Sequence, residues 1–142
     1  MHKIESQMIE AIRNGIDFKS GNTKVTAFTG DDGSRAVVVK LHGNVIASLH
    51  WPAVKPDNSQ RNPYAIVTLS GWDTQTTRSR LNAILQFIQP ANGAILRLKK
   101  QTQVRFDSRD GRTTSWEILH VHGYNMPEYS EVPILVSPPR GG

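Results

Sequence analysis

A cluster of cationic and hydroxyl side chains is the feature of this sequence best suited to chemistry. It combines residues near the start of a predicted helix with residues of a predicted β-hairpin: Thr76, Thr77, Arg78, Arg80, Arg97, Lys99 and Arg105. The open N–H groups and the dipole of a helix start favour an anion, and arginine binds phosphate through two parallel hydrogen bonds. A groove between helix and hairpin would therefore suit a nucleic-acid backbone or a nucleotide. The alternative is a solvated helix start beside an ordinary charged sheet face.

Three aromatic side chains could add stacking platforms for unpaired bases. Trp72 precedes the arginines by about one turn, whereas Trp51 and Tyr124 lie in predicted loops beside proline or glycine. The loop positions predict exposure of Trp51 and Tyr124. For Trp72, beside a strand, core packing is the commoner outcome.

The signatures of enzymes and metal sites are missing from the sequence. It contains no GxSxG, P-loop, GxGxxG or HExxH motif and no cysteine, which excludes disulfides and thiolate ligands. His120 and His122 would share one face of a strand, but no acidic residue stands at the spacing of a zinc hydrolase. We therefore expect a non-enzymatic protein that uses neither a cofactor nor a metal ion.

Length and charge narrow the class of protein. The 142 residues predict one domain over residues 1–136, followed by a flexible tail over 137–142. The net charge of +5 favours a polyanion or an acidic protein surface as the partner, although an evenly spread charge would serve only solubility. No apolar run approaches the ~18 residues of a membrane span, and the N-terminus does not resemble a signal peptide. We therefore expect a cytoplasmic protein without membrane contact.

Two helices are predicted to position these residues. Apolar residues at i, i+3, i+4 and i+7 predict a central helix over about residues 74–89. Asp73 or Thr74 can cap its start, and Pro90 ends it. A short amphipathic helix is predicted over residues 3–14.

Alternating apolar runs predict strands on both sides of the central helix: KVTAF (24–28), RAVVVKL (35–41), VIASL (45–49) and YAIVTL (64–69) before it, and AILRLKK (94–100), TQVRF (102–106), RTTSWEILHV (112–121) and VPILV (132–136) after it. Short turns between neighbours favour antiparallel pairing. The prediction is an α+β domain, a mainly antiparallel curved sheet of about seven strands with the central helix packed on it. The run 35–41 is continuous enough to predict a strand covered on both faces. Residues 51–63 are predicted to form a surface loop.

We call the cationic and hydroxyl residues described above the arginine cluster. The predicted hairpin over residues 94–106 forms the side of the groove that lies opposite the helix start. Alternation places Ala94, Leu96 and Leu98 on one face, together with Val104 and Phe106 of the partner strand. The other face would then carry the basic and amide side chains of Arg97, Lys99, Gln103 and Arg105.

Three spaced segments resemble a group of small proteins that are common in bacteriophage and prophage genomes. They are GNT (21–23), LHGN with the following IA (41–47), and GWDTQTTRSRLNAIL (71–85), of which GWxTxTTRSRLN is the most specific part. The resemblance covers about residues 20–106. It implies a protein made inside the host cell during infection, and it transfers no enzyme class and no catalytic residue.

The sequence supports three hypotheses about function. The first is a phage-type accessory protein that binds DNA or RNA through the arginine cluster, with the aromatic side chains adding base contacts. The second is an inhibitor or adaptor that binds a host or defence protein through the 51–63 loop, the N-terminal helix and the C-terminal segment. The third is capture of a small, for example cyclic, nucleotide at the start of the central helix.

Overall fold

The computed structural model of the protein describes residues 3–57, 61–90, 93–98, 101–108, 114–119 and 129–140. Within these residues the chain forms two helices and nine strands, and the α+β class is confirmed. The elements are α1 (Lys3–Asn14), β1 (Phe18–Ser20), β2 (Thr23–Thr29), β3 (Arg35–Leu41), β4 (Asn44–Trp51), β5 (Tyr64–Thr68), α2 (Gln75–Ile88), β6 (Ala94–Leu98), β7 (Gln101–Asp107), β8 (Thr114–Leu119) and β9 (Tyr129–Pro133).

The strands form two antiparallel sheets. The larger sheet has the order β1-β2-β3-β4-β5-β9 and the smaller one the order β6-β7-β8. The chain moves to the smaller sheet after α2 and returns to the larger one at β9, which pairs with β5 from Tyr64↔Pro133 to Thr68↔Tyr129. The antiparallel prediction is confirmed, and three of the strands after the central helix, β6, β7 and β8, form the second sheet.

One hydrophobic core joins both helices to one face of the larger sheet. Its members include Met8 and Ile12 of α1, Leu81 and Leu85 of α2, and Val37 of β3. The predicted apolar stripe of α2 is confirmed, since Leu81, Ile84, Leu85 and Ile88 are all fully buried.

The second face of the larger sheet is more open than the apolar run of β3 predicted. Val37, Val39 and Leu41 are buried, but Ala36, Val38 and Lys40 between them are partly exposed. The prediction of a strand covered on both faces is therefore wrong. We call this second face, which points away from the shared core, the outer face.

The start of α2 is fixed by Thr74. Its backbone is extended (φ −104°, ψ 160°), and its side-chain hydroxyl accepts a hydrogen bond from the backbone N–H of Thr77 at 3.1 Å. Thr74 thus satisfies one of the N–H groups that a helix start leaves open. Asp73, the other predicted cap, is used differently.

The segment before the C-terminus lies against α1. The backbone N–H of Arg140 donates to the carbonyl of Arg13 at 3.1 Å, and Pro139 is buried. The described part of this segment therefore contacts α1 at Arg140, and the flexible tail predicted over residues 137–142 stays a prediction. Neither helix of the described chain is long and apolar enough to span a membrane.

Candidate nucleic-acid interface

Asp73 gathers two of the predicted phosphate-binding arginines around one carboxylate. Arg78 Nη1 lies 2.5 Å from Asp73 Oδ1, and Arg97 Nη1 lies 2.7 Å from Asp73 Oδ2. The hydroxyl of Thr102 donates to the same carboxylate, at 2.9 Å from Oδ1 and 2.8 Å from Oδ2. Asp73 therefore ties the start of α2 to the β6–β7 hairpin.

The pKa of Asp73 reflects this arrangement. Burial opposes ionisation of the carboxyl, but hydrogen bonds from Arg78 and Thr102 and the charges of Arg78 and Arg97 outweigh it. The result is a pKa lowered from the ordinary value. Asp73 is thus held as a carboxylate, which partly neutralises the cations that were expected to meet a phosphate.

Arg80 is bound to an acidic residue of the other helix. Its Nη1 lies 2.7 Å from Glu5 Oε2, and its Nε donates to Thr23 Oγ1 at 3.2 Å. Ser79 Oγ donates to the same Glu5 oxygen at 2.5 Å. Both partners of the ion pair are largely buried, with 12% of the Arg80 and 4% of the Glu5 side chain exposed. Sequence reasoning missed Glu5 because it stands on another element, distant along the chain.

The hairpin does not present its basic residues on one face. Arg97 pairs with Thr102, whereas Arg105 pairs with Ala94. Because neighbouring pairs alternate in direction, Arg97 shares the face of Thr102 and Val104, and Arg105 lies on the other one. The predicted common basic face is therefore wrong in its register. Lys99 lies outside the described residues.

The remaining predicted residues divide between the core and the surface. Thr76 is exposed, while Thr77 is buried and its hydroxyl lies 2.9 Å from that of Thr74. Trp51 is buried and its indole N–H donates to the carbonyl of Val136 at 3.2 Å, so its predicted exposure in a loop is wrong. Trp72 is 61% exposed, so the core packing expected for it is wrong and it stays available for stacking.

Two groups of predicted residues are outside the part of the chain that the structure describes. They are the stacking candidate Tyr124 and the histidines His120 and His122. Among the described residues, no three His, Asp or Glu side chains are grouped so that they could hold a metal ion.

Three lysines form a row across the outer face that the sequence reasoning did not identify. Lys19 of β1 is directly opposite Lys24 of β2, and Lys24 is directly opposite Lys40 of β3. Lys19 and Lys24 are exposed, and Lys40 is partly exposed. In the described residues no acidic side chain forms an ion pair with any of the three. We call these residues the lysine row.

Two tight turns border the lysine row. The β1–β2 turn contains Gly21 (φ 57°) and Asn22, and the β3–β4 turn contains His42 (φ 53°) and Gly43 (φ 80°). The turns are joined by a hydrogen bond of 2.9 Å from the N–H of His42 to the carbonyl of Asn22. Together with the lysines they line a shallow depression of about 400 Å³. Both turns lie at the same end of the sheet, next to the lysine row.

Aromatic side chains stand further along the same outer face. Across β2, β3, β4 and β5, Phe28 is directly opposite Ala36, Ala36 is opposite His50, and His50 is opposite Tyr64. Phe28 is 53% exposed. The rings of His50 and Tyr64 are stacked, with centroids 4.8 Å apart and planes at 18°, and Arg61 lies over Tyr64 at 3.8 Å.

His50 is uncharged in this setting. Burial, and after it the charge of Arg61, lowers the pKa of His50 below its ordinary value. At neutral pH the imidazole is therefore neutral, and it contributes a flat ring rather than a cation to the aromatic end of the outer face.

Comparison with protein families identifies a related family. The model of the family described as Kyanoviridae Gp96 protein matches residues 1–127 of this chain. No curated protein and no solved structure matches. The match extends over α1, the lysine row and the start of α2.

Proposed function

Since the chain belongs to the Kyanoviridae Gp96 protein family, we propose a function for it as a phage accessory protein. In this proposal it binds single-stranded nucleic acid on the outer face of its larger sheet. The lysine row supplies the phosphate contacts, and the aromatic side chains of the same face supply base contacts. The proposal keeps the nucleic-acid hypothesis and moves its site from the arginine cluster to the lysine row.

The observation that carries this proposal is the direct opposition of three like charges. Lys24 faces Lys19 on one neighbouring strand and Lys40 on the other. Like charges directly opposite across antiparallel strands destabilise a sheet. No carboxylate in the described part of the chain offsets them. A row of phosphates would do so, and phosphate pairing is the main source of affinity in nucleic-acid binding.

The aromatic residues support a single strand rather than a duplex. Phe28 follows Lys24 by four residues on the same face of β2, about 14 Å at the usual ~3.4 Å rise per residue of a strand. A single nucleic-acid strand lying along β2 would contact Lys24 at one end and the partly exposed ring of Phe28 at the other. Stacking on such rings requires bases that are not already paired and stacked in a duplex.

The arginine cluster is less suited to the same role. Arg78 and Arg97 share the carboxylate of Asp73, and Arg80 is paired with Glu5. A phosphate at this place would have to compete with carboxylates that are already in contact. Phosphate binding by the arginine cluster stays a prediction, and these contacts give its members a sufficient role in the fold.

Fluorescence-anisotropy titration tests the proposal, with labelled single- and double-stranded DNA and RNA at low and near-physiological salt. We expect single strands to bind, with a slope of log K against log salt of about −2, because each phosphate contact to a single strand contributes about −0.7. Absence of binding at low salt, or affinity that does not change with salt, would overturn the proposal. The host-protein inhibitor or adaptor hypothesis would then take precedence.

A further inference from the structure

A pocket of about 500 Å³ opens between the β3–β4 turn and the start of α2. Its floor is formed by the buried apolar side chains of Leu41, Ile46 and Leu69. Its volume lies within the range of small-molecule sites in proteins. The flat face of an aromatic ring such as a nucleobase suits a floor of this composition.

The opening of the pocket carries polar groups and one indole. Asn44 and Thr76 are both exposed, and their amide and hydroxyl groups can donate and accept hydrogen bonds. Trp72 lines the same pocket with 61% of its surface exposed. Base edges combine donors and acceptors, and a base stacked on Trp72 would cover apolar surface that the fold leaves in water.

The walls of this pocket are held by the backbone. His42 and Ser70 line it, and they are the two non-glycine residues with positive φ in the described chain, at 53° and 50°. The hydroxyl of Ser70 donates to the carbonyl of Val45. The segment that leads into α2 is thereby fixed to the beginning of β4, so the pocket exists before any ligand arrives.

His42 connects the pocket to the lysine row. It lines the pocket on one side and the depression above Lys19, Lys24 and Lys40 on the other. The pocket opening and the depression above the lysine row therefore meet at the β3–β4 turn.

We propose that the pocket holds one unstacked base of the bound single strand, with Trp72 stacked against that base. This inference rests on the proposed function, because the lysine row delivers the strand to the pocket. It assigns the pocket to a nucleobase and Trp72 to a contact distinct from the phosphate contacts.

A scan of abasic positions tests this inference. The shortest labelled oligonucleotide that binds the wild-type protein is prepared with one base removed at a time, and the dissociation constants are measured by anisotropy. One stacked base contributes roughly 5- to 150-fold to affinity. We therefore expect one abasic position to weaken wild-type binding by that factor. The Trp72→Ala variant should bind the intact strand more weakly by the same factor. Removing the base at that position should not weaken the binding of this variant further.

Two further variants separate the pocket from a general surface effect. Trp72→Phe keeps an aromatic ring and should restore most of the affinity. Thr76→Phe places a ring in the opening at an exposed position and should weaken binding although Trp72 is intact. The salt dependence should be unchanged in all three variants, because none of them removes a phosphate contact.

The two proposals fail in distinguishable ways. If the wild-type protein binds with the expected salt dependence but Trp72→Ala and Thr76→Phe bind as it does, the base pocket is wrong and the lysine row stands. If the wild-type protein binds no single strand at low salt, the proposed function is wrong and this inference falls with it.

Discussion

Arg80 of α2 and Glu5 of α1 form a largely buried ion pair with 2.7 Å between Nη1 and Oε2. The pair joins the two helices on the core side of the larger sheet. Arg78 and Arg97 are likewise held by Asp73. These arginines, which were predicted to bind phosphate, therefore form ion pairs with carboxylates of the protein itself. The lysine row on the outer face, in contrast, has no carboxylate paired with it among the described residues.

Replacing Arg80 by glutamine is expected to destabilise the protein strongly. The change removes the Arg80 cation from the buried Glu5 carboxylate, and breaking such a pair costs about 3 kcal/mol. For a domain of this size the melting temperature should fall by about 10 °C. Thermal unfolding followed by circular dichroism measures both values.

A double-mutant cycle identifies the cause of that loss. The double variant Glu5→Gln/Arg80→Gln should lose less stability than the sum of the two single variants, because each single change already removes the attraction between the two charges. Strictly additive losses, or an Arg80→Gln variant that melts with the wild type, would contradict the structural role of the pair.

Asp73 should contribute to stability above about pH 4 and lose this contribution in acid. Its pKa is lower in the folded protein than the ordinary value of about 3.9. Protons therefore bind more readily to the unfolded chain, and the stabilisation is lost as the pH falls through the folded pKa. The difference in unfolding free energy between wild type and Asp73→Asn should be constant from pH 7 to 5 and shrink towards pH 3.

Urea unfolding at pH 7, 5 and 3 measures this difference. Asp31→Asn is the matched control, because it removes the same charge from an exposed loop position. Its unfolding free energy should stay close to that of the wild type at neutral pH. A gap between Asp73→Asn and the wild type that widens in acid would contradict the arrangement around Asp73.

The lysine row should also lower the unfolding free energy of the protein. Lys24→Gln removes the middle charge of the row and with it both opposed like-charge pairs. We expect a gain of about 0.5 kcal/mol in the unfolding free energy at low salt. The gain should disappear near 1 M salt, where exposed charges are screened. A loss of stability at low salt would show that Lys24 has a favourable partner.

The helices could be predicted from the sequence because their information is local. The apolar spacing of Leu81, Ile84, Leu85 and Ile88 and the cap at Thr74 are properties of neighbouring residues. The predicted bounds of 3–14 and about 74–89 match α1 and α2 closely.

The site was less predictable because it depends on register and on distant partners. Alternation alone does not show whether Arg97 faces Thr102 or another residue, and no local pattern pairs Arg80 with Glu5. The lysine row depends on register in the same way. Folding the predicted hairpin symmetrically about residues 29–34 brings Lys24 opposite Val39, whereas the structure pairs Lys24 with Lys40, a shift of one residue that moves a side chain to the other face.

The most direct test of the central claim compares two double variants with the same change in net charge. Lys24→Gln/Lys40→Gln removes two cations from the lysine row, whereas Lys3→Gln/Lys55→Gln removes two exposed cations elsewhere. The measurement is the dependence of single-strand affinity on salt, by anisotropy. The row variant should bind more weakly and lose about 1.4 from the magnitude of the slope of log K against log salt, while the control stays near the wild type. Equal slopes in the two variants would contradict phosphate binding by the lysine row.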